Sequence, residues 1–144
     1  FFADSFLTPF TAFLTTLGVV IAAWGGVMLA DIALRRKDYD EPSLFTPSGR
    51  YGSVNWGAVA SLIVGSLVGW GLVVNAKASW LSWQGYLLGP LGGREGDWAG
   101  ANIGILLAMV VGFVGYWLTS AGRVRAQEKL PSRTYAEGAE EGEQ

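Results

Sequence analysis

Three long runs without a charged side chain alternate with short polar segments along the chain. The first run covers residues 5–30, which is 26 residues. A helix of that length would extend about 39 Å, more than the roughly 30 Å hydrocarbon core of a bilayer. Residues 51–76 and 98–122 form two further runs that are also long enough to cross. The pattern therefore predicts an all-α membrane protein with three transmembrane helices.

Polar and turn-forming residues divide the chain between these helices. Ser5, Thr8 and Pro9 suit an entry turn for the first helix, because proline is tolerated in the first turn. Past the third helix, a tail rich in Gly and Glu is predicted to be disordered, because it has few apolar residues. The expected segments are a first transmembrane helix (1–36), a cytoplasmic loop (37–53), a second helix (54–76), an extracellular aromatic segment (77–97), a third helix (98–121) and a cytoplasmic tail (122–144).

Positive charge is distributed unequally between the polar segments. Only Lys77 and Arg94 lie between the second and third runs. Basic residues favour the cytoplasmic side of a membrane. The chain is therefore predicted to start outside and to end inside the cell, in the plasma membrane. The eight basic residues on the predicted cytoplasmic side are Arg35, Arg36, Lys37, Arg50, Arg123, Arg125, Lys129 and Arg133.

A carboxylate stands where the first run ends. Asp31 and Arg35 are four residues apart and can pair on one helix face. Together with Arg36 they are predicted to anchor the helix at the cytoplasmic interface. An ion ligand or a proton carrier is the alternative role for Asp31.

Aromatic side chains are dense between the second and third helices. Trp80, Trp83 and Leu87 recur at helical spacing before Gly and Pro residues interrupt the pattern. Tryptophan next to a membrane helix is typical of the interfacial region. A re-entrant segment or one that contacts a ligand is the alternative.

Small residues recur at every fourth position in the second and third helices. In lipid, close backbone contact over small residues is a main source of helix association. We therefore expect these two helices to touch along the small residues, at a crossing angle of roughly −40° to −50°, with bulky side chains turned outward. Alternatively, the small residues of one of these helices, which form a ladder along it, pack against the first helix or against a helix outside this chain. The residues are Gly57, Ser61, Gly65 and Gly69 in one helix and Gly100, Gly104, Ala108 and Gly112 in the other.

Composition excludes several kinds of chemistry. Charged residues make up 15% of the chain and hydrophobic residues 51%, whereas a soluble domain has about 25% charged residues. The chain also contains no Cys and no His. Thiolate nucleophiles, imidazole bases and most zinc sites are therefore excluded. The Gly-rich stretch 92–97 lacks the Lys-Ser/Thr ending of a phosphate-binding loop. No enzyme active site, metal site, cofactor or nucleic-acid partner is predicted.

Two stretches resemble the nucleobase:cation symporter-1 family, which includes cytosine, purine, allantoin and hydantoin permeases. They are WGGVMLADIALRRKDYD at 24–40 and RYGSVNWGAVASLIVG at 50–65. Relatives often have prolines where this chain has Ala22 and Ala23. The residues that match the family pattern are Gly26, Val27, Ala30, Asp31, Arg35, Tyr51, Gly52, Asn55 and Ala58.

The resemblance implies a fold and a position within it. The three helices would be the last three of a twelve-helix transporter with an inverted five-plus-five repeat and mid-membrane sites. Sodium or proton coupling and the nucleobase-like substrate would be handled mainly by helices outside this chain. The first helix would help to gate the outward-facing cavity, and Leu7, Phe10 and Leu14 on one of its faces would line the substrate path. Ordinary packing against lipid or neighbouring helices is the alternative for these three.

Two functional hypotheses follow. The chain is either the C-terminal fragment of a cation-coupled symporter or a complete accessory membrane subunit with three spans. The first hypothesis predicts that N-terminal helices of a parent transporter surround this chain. Both predict a lipid bilayer as its environment.

Overall fold

Three α-helices and one short 3-10 turn make up the described part of the chain in a computed structural model. The structure describes residues 2–37, 54–75, 79–93 and 102–129. No strand occurs within these ranges. Most of the predicted first loop, most of the predicted tail and Gly100 lie outside them. The elements are α1 (Phe2–Leu34), α2 (Trp56–Gly71), the 3-10 turn Ser79–Leu81 and α3 (Ile103–Glu128).

Helices α1 and α3 are long and apolar enough to cross a membrane. Only 33% of the most apolar window of α1, and 28% of that of α3, is buried inside the structure. The core helix of a soluble protein would be mostly buried, and soluble monomers rarely expose such large apolar surfaces. Ile21 of α1 is 62% exposed and Leu118 of α3 is 77% exposed. These surfaces suit contact with lipid and indicate a membrane protein. Together with the helices themselves, they confirm the predicted class of all-helical membrane protein.

Helix α1 is continuous through Pro9. The entry turn predicted around Pro9 is wrong, because α1 is already helical from Phe2 and Pro9 lies inside it. Proline removes one backbone donor from the helix. Membrane helices tolerate this loss, since neighbouring groups can satisfy the carbonyl that is left without its donor.

Helix α2 is shorter than the predicted segment 54–76. It ends at Gly71 after 16 residues, which corresponds to about 24 Å. Its last carbonyl groups bind the segment that follows: Gly85 N donates to Trp70 O at 2.9 Å and Leu87 N to Gly71 O at 3.0 Å. Non-helical backbone is tolerated at membrane depth where protein groups satisfy it. These tertiary hydrogen bonds therefore let α2 end early.

The segment 79–93 folds back onto the ends of α1 and α2. Leu81 is 2% exposed and forms a small cluster with Ala12 of α1. The Trp83 ring meets the Trp70 ring edge-on, with the centroids 5.7 Å apart. Trp80 stays exposed. The predicted aromatic segment therefore has one face packed against the helices and one face outward.

Helix α3 packs against both of the other helices. Its buried positions recur every four residues, which places them in one stripe along the helix. This stripe contributes to two apolar clusters, one around Val19 and Ala23 and the other around Val27 and Leu34. The buried residues at this spacing are Gly104, Ala108, Gly112, Tyr116, Ser120 and Val124.

Candidate functional site: the helix junction and its polar cluster

Small residues lie where α2 approaches α3. A methyl group placed on Gly65 would lie 2.9 Å from the carbonyl oxygen of Ala108. One placed on Gly69 would lie 2.8 Å from the Ala108 Cβ and 2.9 Å from the Gly104 carbonyl oxygen. Distances this short leave no room for a side chain. The two backbones therefore approach directly over these positions.

The same stripe of α3 also meets α1. A methyl group on Gly112 would lie 2.4 Å from the Ala23 carbonyl oxygen, and one on Gly26 would lie 2.1 Å from the Met109 carbonyl oxygen. The ladder of α3 is thus shared between two helices. Trp70 departs from the expectation that bulky side chains turn outward, since its indole Nε1 donates to Thr16 O of α1 at 3.0 Å.

The two remaining small residues of the α2 ladder, Gly57 and Ser61, lie near hydroxyl groups or carry one. A methyl group on Gly57 would come within 2.9 Å of the hydroxyl oxygens of Thr119 and Ser120. The Ser61 hydroxyl donates to the Gly57 carbonyl at 2.7 Å, inside its own helix. Small polar side chains that bond in this way allow close approach without leaving a donor unsatisfied.

A polar cluster joins the three helices near the end of α1. Arg35 Nε donates to Asp31 Oδ2 at 2.8 Å, and the side chains are 12% and 14% exposed respectively. The hydroxyl of Tyr116 in α3 donates to the other carboxylate oxygen of Asp31. Both oxygens of this carboxylate are therefore engaged by side chains of the chain itself.

Amide groups extend the cluster. Asn55 Oδ1 accepts from Gly57 N at 3.1 Å and so caps α2, while its Nδ2 donates to Tyr116 Oη and to Ser120 Oγ at 3.4 Å each. Arg35 Nη2 donates to Gln127 Oε1 at 3.4 Å. The cluster thus contains groups from α1, α3 and the N-terminal cap of α2.

The electrostatics of the cluster favour a structural role. A charge inside a bilayer is costly unless it is paired. Among the described residues, no buried side-chain polar atom lacks a hydrogen-bond partner. Within the same residues, no group of three or more acidic side chains could hold a metal ion. The arrangement at Asp31 pairs a partly buried carboxylate and links α1 to α3.

A cleft of about 390 Å³ opens beside the polar cluster. One wall is apolar, with Trp24, Met28 and Leu62, and Asp31 and Arg123 contribute polar groups. The cleft is large enough for a small group or for side chains of a neighbouring helix.

A second polar cluster lies toward the other end of the helices. Gln84, only 2% exposed, donates through Nε2 to Thr16 Oγ1 at 3.1 Å and accepts from Asn75 Nδ2 at 2.8 Å. Asn75 also reaches the Ala12 carbonyl at 3.3 Å. These bonds hold the segment after α2 against α1. The sequence alone does not indicate this cluster, since no local pattern relates positions so far apart.

The predicted gate residues lie on the surface of α1. Leu7, Phe10 and Leu14 are 54%, 42% and 49% exposed, and none of them lines the cleft beside Asp31. Their gating role stays a prediction. Arg36, predicted as part of the anchor, is exposed, and its backbone N–H donates to Glu128 Oε1. Anchoring by Asp31, Arg35 and Arg36 likewise stays a prediction.

Exposed apolar helices and close contacts over small residues indicate a membrane protein with tightly packed helices. A family model for permeases of cytosine and purines, uracil, thiamine and allantoin matches residues 2–89. The chain belongs to this family, which confirms the predicted resemblance. The matched region contains α1, α2 and the segment 79–93 as far as Gly89, whereas α3 follows it. Comparisons with curated proteins and with solved structures gave no match.

Proposed function

We propose that this chain forms the last three helices of a cation-coupled symporter for nucleobases or related heterocycles such as cytosine, purines or allantoin. The family match over residues 2–89 is the observation that carries the proposal. By resemblance, α1 to α3 correspond to helices ten to twelve of an inverted five-plus-five repeat. Substrate and sodium or proton sites then lie mainly in N-terminal helices of the parent transporter.

The contacts of the described residues suit this supporting role. Asp31, the acidic side chain at the helix junction, is engaged by Arg35 and Tyr116 and offers no open ligand position. The outer half of α1, with Leu7, Phe10 and Leu14, is exposed and available to line a path formed with further helices. We place the protein in the plasma membrane with its C-terminus in the cytoplasm, as the distribution of basic residues indicates.

Reconstitution of this chain alone tests whether the substrate and ion sites lie mainly in other helices of the parent transporter. Liposomes that contain only residues 1–144 are expected to show no uptake of radiolabelled cytosine or allantoin under a sodium or a proton gradient. One gating helix cannot enclose a ligand by itself. Liposomes with the parent protein, including any upstream helices that its gene encodes, are the positive control and are expected to take up one of these compounds.

The outcomes separate the parts of the proposal. Uptake by the 144-residue chain alone would contradict the supporting role. Lack of gradient-driven uptake of any nucleobase or related heterocycle by the parent protein would contradict the symporter itself.

A further inference from the structure

Basic side chains converge where α1 and α3 end on the same side of the bundle. Arg36 and Lys37 follow α1 directly, and Arg125 and Lys129 lie one turn apart at the end of α3. They border a cleft of about 590 Å³ whose other walls are Ala33, Leu34, Trp117 and Glu128. This basic cleft is separate from the cleft beside Asp31 and shares no lining residue with it.

Glu128 is the carboxylate among the described residues that line the basic cleft, and it is already engaged. Glu128 Oε1 accepts from the backbone N–H groups of Arg36 and Lys37, and Lys37 Nζ donates to the Glu128 carbonyl at 3.0 Å. These bonds tie the exit of α1 to α3. They engage one carboxylate oxygen of Glu128 with backbone donors and not with the side chains of Arg36, Arg125 or Lys129.

Positive charge in the basic cleft is therefore in excess. Among the described residues, four cationic side chains and one carboxylate line it, which gives a net charge of +3. Within the described part of the chain, no carboxylate lies within ion-pair distance of Arg36, Arg125 or Lys129. Such a site has the charge to bind a phosphate group through several cations at once.

Apolar surface begins immediately beside these charges. Leu29 and Ile32 of α1 are 52% and 56% exposed, and Trp117 and Leu118 of α3 are 38% and 77% exposed. An exposed tryptophan next to lysine and arginine is typical of the boundary between headgroups and acyl chains. The two kinds of surface match the two parts of a phospholipid.

We propose that the basic cleft binds the phosphate headgroup of an anionic phospholipid, with its acyl chains along the exposed apolar surface of α1 and α3. Basic pockets between transmembrane helices on the cytoplasmic side bind anionic headgroups in this way. The lipid would join the ends of the two helices on the side that the charge distribution predicts to be cytoplasmic. This inference depends on the membrane location and not on the transported substrate.

Native mass spectrometry of the full chain in neutral detergent tests the proposal. The chain is titrated with phosphatidylglycerol, with phosphatidylcholine of the same acyl chains, and with glycerol phosphate as the soluble headgroup alone. We expect the chain to retain one phosphatidylglycerol at a concentration at least tenfold lower than phosphatidylcholine requires. Glycerol phosphate is expected not to displace the lipid at millimolar concentration.

Matched charge variants locate the site. Arg125→Gln with Lys129→Gln is expected to weaken phosphatidylglycerol binding about 30-fold, since each basic residue near an anionic surface contributes about 1 kcal/mol. Arg123→Gln removes a positive charge from the same helix outside the basic cleft and is expected to keep the preference, whereas Arg125→Gln alone is expected to weaken binding about fivefold. Arg125→Lys with Lys129→Arg retains the charge and is expected to bind as the native chain does. Circular dichroism verifies that each variant keeps its helix content.

Three results would overturn the proposal. They are equal binding of the two lipids by the native chain, equal loss of binding in Arg125→Gln and Arg123→Gln, and binding of glycerol phosphate as tight as that of the lipid. The last result would assign the basic cleft to a soluble phosphate compound instead.

Discussion

Tyr116 is the side chain through which α3 reaches the carboxylate of α1. Its hydroxyl donates to Asp31 and accepts from Asn55 Nδ2, so one group connects α1, α3 and the cap of α2. The aromatic ring adds to the apolar cluster around Val27 and Leu34. A tyrosine suits this position because its ring packs in the core while its hydroxyl serves a buried charge.

A double-mutant cycle measures this connection. Tyr116→Phe keeps the ring and removes the hydroxyl, and it is expected to lower the free energy of unfolding in detergent by about 1 kcal/mol, the usual range for polar contacts between membrane helices. In the Asp31→Asn background the same change is expected to cost clearly less, because the charged acceptor is gone. Additive effects of the two substitutions would show that the hydroxyl and the carboxylate do not interact.

Helix α1 presents adjacent glycines with opposite surroundings. Gly26 faces α3 at Met109, whereas a methyl group on Gly25 would meet no atom within 4 Å. Glycine lowers helix propensity at both positions. Only at Gly26 does close approach of another backbone require it.

This pair offers a matched test of helix packing. Gly26→Ala would place Cβ 2.1 Å from the Met109 carbonyl oxygen, and overpacking of this kind costs about 1–3 kcal/mol. Gly25→Ala is expected to be neutral, or to stabilise by up to about 1 kcal/mol through helix propensity. Thermal unfolding in detergent, followed by circular dichroism, should give a lower midpoint for the first variant only. Equal midpoints would show that α1 and α3 do not meet at Gly26.

The whole molecule has two ends of different chemistry. The end with the segment 79–93 is closed by aromatic rings and an amide cluster, as Trp83 and Gln84 show. The opposite end carries the Asp31 cluster and the basic cleft. Which end faces the cytoplasm stays a prediction from the count of basic residues.

Thiol labelling checks the orientation, since the chain contains no native cysteine. Ser82 lies in the segment 79–93 and Arg36 lies just after α1. Both residues are exposed, and they lie toward opposite ends of the helices. In intact cells, a membrane-impermeant maleimide is expected to label Ser82→Cys. Arg36→Cys is expected to react only after permeabilisation. The reverse labelling pattern would show that the chain has the opposite orientation in the membrane.

The sequence by itself determined the helical membrane class and the family, because charge-free runs and motif residues are local features of the chain. The apolar content of α1 and α3 and the small residue at every fourth position are likewise visible without coordinates. Both depend on properties of single residues and on helical period alone. The family resemblance predicted from the stretches 24–40 and 50–65 agrees with the match over 2–89.

The tertiary structure decided where helices end and which side chains meet. Gly71 ends α2 because Leu87 and its neighbours bind the free carbonyl groups, which the local sequence does not specify. Asp31 meets Tyr116 across 85 positions of the chain, and Thr16 meets Gln84 across 68. Contacts over such distances depend on how the helices pack, and no periodic pattern encodes them. The sequence therefore indicates the Asp31–Arg35 pair within α1, and only the fold shows that Tyr116 of α3 and the α2 cap Asn55 join this pair in one cluster.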